Sequence, residues 1–202
     1  MVEKDSSSAA GPAPTPAELI IVSGLSGSGK TVALRTLEDL GYYCVDNLPA
    51  ALMPAFVQAI SQGAAGLHPK LAVGVDVRNR AENLNRLPGI LAELARSEIA
   101  YRLVFLDTRD DVLIKRYSET RRRHPLSTEG LGLAEAIATE RRLLKPMAAI
   151  ADRVIDTSEI NVHQLRRLII TEMGLAAGGM TLLFESFAYR RGVPSDADFV
   201  FD

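Results

Sequence analysis

Short apolar runs alternate with longer stretches in which apolar residues recur every three or four positions. Leu19-Ile20-Ile21-Val22 is a β-branched run without polar interruption, the pattern of a strand buried on both faces. After a Gly-rich segment, Ala33, Leu34, Leu37 and Leu40 fall at helical spacing, so Thr31–Leu40 is predicted as a helix that Gly41 ends. Tyr42–Val45, Leu71–Val77, Tyr101–Leu106 and Arg153–Ile155 read as further strands. Helices are predicted over Leu52–Ile60, Pro88–Ser97, Asp110–Arg122, Leu133–Leu144 and Val162–Met173. Pro49 disfavours helix before it and can open one after it, and His124-Pro125 breaks the charged helix upstream. Strand and helix therefore alternate from Leu19 to Met173. That order implies an α/β fold, a parallel sheet with helices on both faces, joined by right-handed crossovers.

The two ends break this alternation. Residues 1–18, rich in Ser, Ala and Pro, bury too little apolar surface to order themselves and are expected as a flexible tail. Residues 19–174, which carry the alternation, form one expected domain. Residues 175–202 are expected as a linker at Ala176-Ala177-Gly178-Gly179 and two strands, Thr181–Phe187 and Phe199–Phe201, which either dock on the first domain or, the favoured reading, begin a second. Composition removes several classes of function. A formal net charge of -2 over 202 residues excludes a global basic field, although a local basic patch remains compatible with it. No run approaches the ~20 apolar residues that span a bilayer, and no secretory leader pattern is present, so a cytoplasmic setting is expected. The single cysteine, Cys44, cannot form an intrachain disulfide and reads as a small core residue.

Chemistry concentrates after the first strand. Gly24-Leu25-Ser26-Gly27-Ser28-Gly29-Lys30-Thr31 matches G-x-x-x-x-G-K-[ST] in full. Glycines let main-chain N–H groups turn toward phosphate oxygens, and the helix that follows presents a partial positive charge at its start. Lys30 is expected to reach the β- and γ-phosphates, and Thr31 to ligate Mg²⁺ through its hydroxyl. The strand before and the helix after supply the context that a chance Gly-Ser loop lacks.

A second, acidic group is needed near the metal, usually at the end of a neighbouring strand. Asp76 and Asp107 both end apolar strands and rank ahead of Asp46; each can equally cap the turn that follows it. Lys115, Arg116, Arg121, Arg122, Arg123 and His124 form a basic run. It admits three readings: a lid whose arginines close over phosphates, a solvated helix face, or an RNA-facing patch. Arg141 and Arg142, beyond the break, are candidates to complete the lid. His68, His124 and His163 show no metal-ligand spacing, so no zinc site is assigned.

These motifs carry a specific resemblance. The Gly24–Thr31 loop, Gly41-Tyr42-Tyr43-Cys44-Val45-Asp46-Asn47-Leu48-Pro49, Asp76-Val77-Arg78-Asn79, Arg116-Tyr117, Thr120-Arg121-Arg122 and His124-Pro125-Leu126 resemble the RapZ/YvcJ family of bacterial nucleotide-binding proteins. So do Ala151–Ser158, Phe184-Glu185-Ser186-Phe187 and Asp196–Asp202. The resemblance covers nearly everything after Glu18. It implies a kinase-like P-loop domain with ATPase and GTPase activity, ATP at Gly24–Thr31 and a GTP contact at Asp76, Val77, Arg78 and Asn79. Some members act as RNase adapters that present a small regulatory RNA, binding RNA and an amino-sugar phosphate mainly through a C-terminal domain, and assemble as homo-oligomers. The sequence departs from that pattern where it stops, soon after the second domain begins, and lacks the basic C-terminal tail.

The leading expectation is a protein that binds ATP and GTP with Mg²⁺, hydrolyses them slowly and uses nucleotide as a signal. Lys30 with Arg121 or Arg122 carries the charge stabilisation, because phosphoryl transfer asks mainly for positioning and neutralisation. A small-molecule kinase is the second expectation, supported by the lid-like arginines and Asp156-Thr157-Ser158. A non-enzymatic RNA adapter is the third.

Overall fold

The computed structural model describes residues 18–62, 70–78, 86–97, 99–173, 186, 187, 189 and 199–201. Five strands form one sheet: β1 (Glu18–Gly24), β2 (Tyr43–Val45), β3 (Lys70–Gly74), β4 (Ala100–Asp107) and β5 (Arg153–Asp156). All pairings are parallel and the order is β2-β3-β1-β4-β5. The helices are α1 (Lys30–Asp39), α2 (Met53–Gln62), α3 (Leu87–Arg96), α4 (Asp110–Thr120), α5 (Leu133–Ile150) and α6 (Val162–Glu172).

The apolar run of β1 earns its central place. It pairs with β3 on one edge and β4 on the other, and Leu19 to Val22 are all essentially inaccessible. Alternate side chains point to opposite faces. Leu19 and Ile21 pack with Val57 of α2, Leu91 and Leu94 of α3, and Ile137 and Leu144 of α5. Ile20 and Val22 pack with Ala33, Leu34 and Leu37 of α1 and Leu165 and Ile169 of α6. One strand thus nails together two cores, and each buried aliphatic chain contributes on the order of 1.5–3 kcal/mol.

Element boundaries shift for identifiable reasons. The β3 ladder stops at Gly74, although the Val75 amide still donates to the Val22 carbonyl at 3.0 Å. Helix α4 ends at Thr120 rather than Arg122, because Arg121 is left-handed at φ 52°. Helix α5 runs six residues past Leu144 to Ile150, with Pro146 inside it. Its buried Leu144 and Met147 hold it against the sheet, so packing overrides the helix-breaking tendency of the proline. Helix α6 begins as expected, behind a capping box: Asn161 Oδ1 accepts from the Gln164 amide, and the Asn161 amide donates to Gln164 Oε1, both at 2.9 Å.

Residues 1–17, the linker at 176–179, Asn79 and most of the Thr181–Phe187 strand lie outside the described residues. Phe199–Phe201, expected as a strand, is in no ladder among the described residues. No helix among the described residues is long and apolar enough to cross a membrane.

Candidate functional site

The carboxyl ends of parallel strands are where such sheets bind ligands, and the loop after the central strand lies there. Gly24, Gly27 and Gly29 have φ of 143°, 92° and 108°. At Gly24 a side chain is excluded outright, since a Cβ would sit 2.2 Å from the Leu106 carbonyl oxygen. β1 can therefore lie directly against β4 at the point where the chain turns away from the sheet, which only glycine allows. Gly29 is the N-cap of α1, so the loop delivers the chain straight into the helix start.

Lys30 opens α1 and folds back over the loop. Its Nζ donates to the carbonyls of Gly24 at 2.8 Å and Leu25 at 3.0 Å. Burial pushes its ammonium below the ordinary lysine range, against the opposing pull of Glu140, Asp76 and Asp46. The Ser28 hydroxyl is fully buried and has no hydrogen-bond partner among the described residues. A buried lysine held only by its own loop's carbonyls, an unmatched hydroxyl and glycine-permitted amide geometry fit a phosphate group. Thr31, on the first turn of α1, is exposed toward the same space.

That space is a cleft of about 670 Å³. Its floor is Ser26–Val32, and Asp46 and Asp76 approach from the ends of β2 and β3. Asp76 is 3% exposed and both its oxygens are taken by Arg78: the amide at 2.9 Å, Nε at 3.2 and 3.0 Å, and Nη2 at 2.6 Å. Opposite stand Arg116 and Tyr117 of α4, then Arg122 and Arg123. Arg116 spans two loops, donating to the Gly27 carbonyl at 3.0 Å, the Thr157 hydroxyl at 3.2 Å and the Thr157 carbonyl at 2.6 Å. Thr157 in turn donates from Oγ1 to the Ser28 carbonyl at 2.8 Å. The loop after β5 is thereby bolted to the P-loop. Burial, helped by Glu140, pushes the Tyr117 hydroxyl up to about 12, so it stays protonated as a donor at neutral pH.

The candidates from the sequence separate here. Gly24–Thr31, Asp76, Asp46, Arg78 and Arg122 come together around one cleft. Val77 is buried beneath it, and Asn79 is outside the described residues. Arg121 caps α4 in a left-handed turn and is not among the residues lining the cleft. Asp107 lies in a neighbouring recess, accepting from Arg141 Nη1 at 2.8 Å and from the Thr108 amide at 2.7 Å. Arg141 is held there, and Arg142 reaches only Thr139 on its own helix, so neither completes a lid.

Two groups stand out only in the fold. Arg116 belonged to the basic run, but only the fold distinguishes it from Arg121. Glu140 was not singled out at all. It is fully buried on α5 and accepts from Ser26 through the amide at 3.0 Å and the hydroxyl at 2.7 Å. His124 Nε2 lies 2.9 Å from the same carboxylate, while Nδ1 accepts from the Leu126 amide, which places the ring proton on Nε2. A glutamate among apolar helix positions was the only signal in the sequence.

A parallel sheet in this order, with this loop at the end of its central strand, defines an α/β P-loop fold. The RapZ-like N-terminal domain model matches residues 17–176, and the chain belongs to that family. It is 56% identical over 191 residues to a nucleotide-binding protein of Stenotrophomonas maltophilia strain K279a, covering 94% of this chain and 65% of that one. A nucleotide-binding protein of Xanthomonas axonopodis pv. citri is 55% identical over 184 residues, at 91% and 65% coverage. The chain thus spans just under two thirds of these relatives' length. Among solved structures, a tunicamycin resistance protein of Deinococcus radiodurans shares the fold, with a TM-score of 0.54 and 19% identity over 78% of this chain and 96% of that one.

Proposed function

We propose that this domain binds ATP and GTP with Mg²⁺ at Gly24–Thr31 and hydrolyses them slowly, using nucleotide occupancy as a signal. The observation that carries the reading is the arrangement of Lys30 and Ser28, a buried cation and an unmatched buried hydroxyl on a glycine loop at a helix start. In this reading the amides of Gly27, Gly29, Lys30 and Thr31 and the Lys30 ammonium hold the phosphates, the Ser28 amide being spent on the Leu25 carbonyl at 3.0 Å, and the Thr31 hydroxyl holds the metal. Mg²⁺ supplies charge neutralisation at the phosphates when bound. Asp76, with Asp46 beside it, is the acid that supports the metal, because both share the cleft with Lys30. Arg116 fixes the loop from the far wall, and Arg122 is the arginine placed to approach transferring charge. Among the described residues the carboxylates lining the cleft, Asp46 and Asp76, are assigned here to the metal rather than to water, which fits low turnover. Arg78, already clamped on Asp76, is the residue through which the Asp76–Asn79 segment contacts nucleotide.

Hydrolysis of ATP and of GTP by wild type and Lys30→Ala, with and without Mg²⁺, tests this reading. Mg²⁺-dependent turnover that disappears in the variant is expected, and equal turnover in both proteins would overturn it. Label passing from ATP to a metabolite faster than to water would instead make the protein a small-molecule kinase. A small regulatory RNA and an RNase are proposed as partners of the longer protein, through its C-terminal region. Tight, salt-sensitive RNA binding by these 202 residues would contradict that division.

A further inference from the structure

Glu140 is the most deeply buried acid among the described residues, and nothing in phosphate binding calls for it. Its neighbours on the inner face of α5 are Ile137, Leu144 and Met147, an apolar setting in which an unpaired carboxylate is strongly unfavourable. The carboxylate is retained because donors arrive from both walls of the cleft. The P-loop sends the Ser26 amide and hydroxyl. The segment after α4 sends His124, itself fully buried, whose Nδ1 is fixed by the Leu126 amide. Arg122 and Arg123, which line the cleft, immediately precede that histidine. Left-handed Arg121 ends α4 just before them, so the basic segment has no helix to hold it until His124 is anchored. The Ser26 amide is committed to Glu140 and is therefore not among the loop amides open to the cleft.

We propose that Glu140 is a positioning residue that anchors both walls of the nucleotide cleft at once, fastening Ser26 of the P-loop and, through His124, the basic segment carrying Arg122 and Arg123. The inference rests on the nucleotide reading above for its effect on affinity, but the anchoring itself is present without ligand. Helix α5 is locked to the sheet by its own apolar contacts and cannot follow a shorter side chain inward. Reach should therefore matter more than charge. A glutamine can accept from the Ser26 amide and His124 with its oxygen and donate to the Ser26 hydroxyl with its nitrogen, since a hydroxyl serves either way. Asp46 and Asp76 still face Lys30 in that variant. An aspartate keeps the charge but withdraws the oxygens by about 1.5 Å, beyond hydrogen-bond range.

The experiment compares Glu140→Gln, Glu140→Asp and Glu140→Ala with wild type. Two quantities are measured: the Kd of a fluorescent ATP analogue with Mg²⁺, and amide hydrogen exchange at Ser26 and Leu126 in nucleotide-free protein. Expected are a Gln variant within about threefold of wild type with both amides protected, and an Asp variant about tenfold weaker with both amides exchanging faster. The Ala variant should be at least as weak as Asp; should it not fold, the Gln and Asp pair decides. An Asp variant equal to wild type in affinity and exchange overturns the proposal, and so does a Gln variant as impaired as Asp. Failure of wild type itself to bind the analogue sinks the nucleotide reading instead, and the exchange measurement still judges the anchor.

Discussion

Two recesses open side by side at the carboxyl end of the sheet, and they differ in what their charges are doing. In the recess of about 550 Å³ at the ends of β4 and β5, every charge has a partner. Arg141 holds Asp107 and Asp110 at 2.8 and 2.6 Å, Arg109 reaches Asp111 and Glu159, and Asp156 is capped by the Ser158 amide. In the cleft at the end of β1, polar groups are left over. Ser28 lacks a partner among the described residues and Lys30 leans on carbonyls of its own loop. Charge density alone would not separate these places. Unspent hydrogen-bonding capacity does, because buried polar groups without partners are costly and are relieved when a ligand supplies them.

That contrast can be broken at several points. The largest effect is expected at the hinge of the cleft. Gly24→Ala drives a Cβ into the main chain at Leu106 and needs a φ that side chains rarely adopt. It should lower stability by about 3 kcal/mol or more, read as a fall in the urea midpoint. Lys30→Ala should leave the fold intact and remove the ligand-induced stabilisation, which is about 2.7 kcal/mol at ~100 times the Kd. An unchanged thermal shift in that variant would place the nucleotide elsewhere.

Smaller effects sharpen the comparison. Arg116→Ala cuts the tie between the P-loop and the loop after β5, and about tenfold weaker nucleotide binding is expected by titration. Ser28→Ala is predicted to split two readouts. Removing a buried hydroxyl without a partner should leave the empty protein as stable or up to ~1 kcal/mol more so, while nucleotide binding weakens. In the paired recess, Arg141→Ala should cost about 1 kcal/mol or less, since these ion pairs are partly solvated, and leave nucleotide affinity unchanged. A loss of affinity there would show that the two recesses are one site.

Much of this was legible in the chain. The order of strands and helices could be read because β1, β3 and β4 carry apolar runs and the helices carry their own spacing. The glycine-rich loop could be read as a candidate phosphate site because its chemistry is local: glycines, a lysine and a threonine at fixed offsets beside a strand and a helix. What stayed hidden was long-range. Asp46, Asp76 and Asp107 look alike in sequence, each ending a strand. β3 and β4 both flank β1, yet Asp76 is delivered into the cleft and Asp107 is claimed by Arg141 on α5. Arg116 and Arg121 sit in one basic run, but a helix turn separates the residue that bridges two loops from the residue that caps an end.

By itself, then, the sequence determined the α/β alternation, the glycine-rich loop between β1 and α1, and the family. Those depend on periodicity and on contacts between near neighbours, which the chain carries wherever it folds. Only the tertiary structure decided which acid faces Lys30, which arginine spans the loops, and that Glu140 lies beneath both walls. The reason is separation along the chain. Ser26 meets Glu140 across 114 residues and Ser28 meets Thr157 across 129, and no local pattern records a partner that far away.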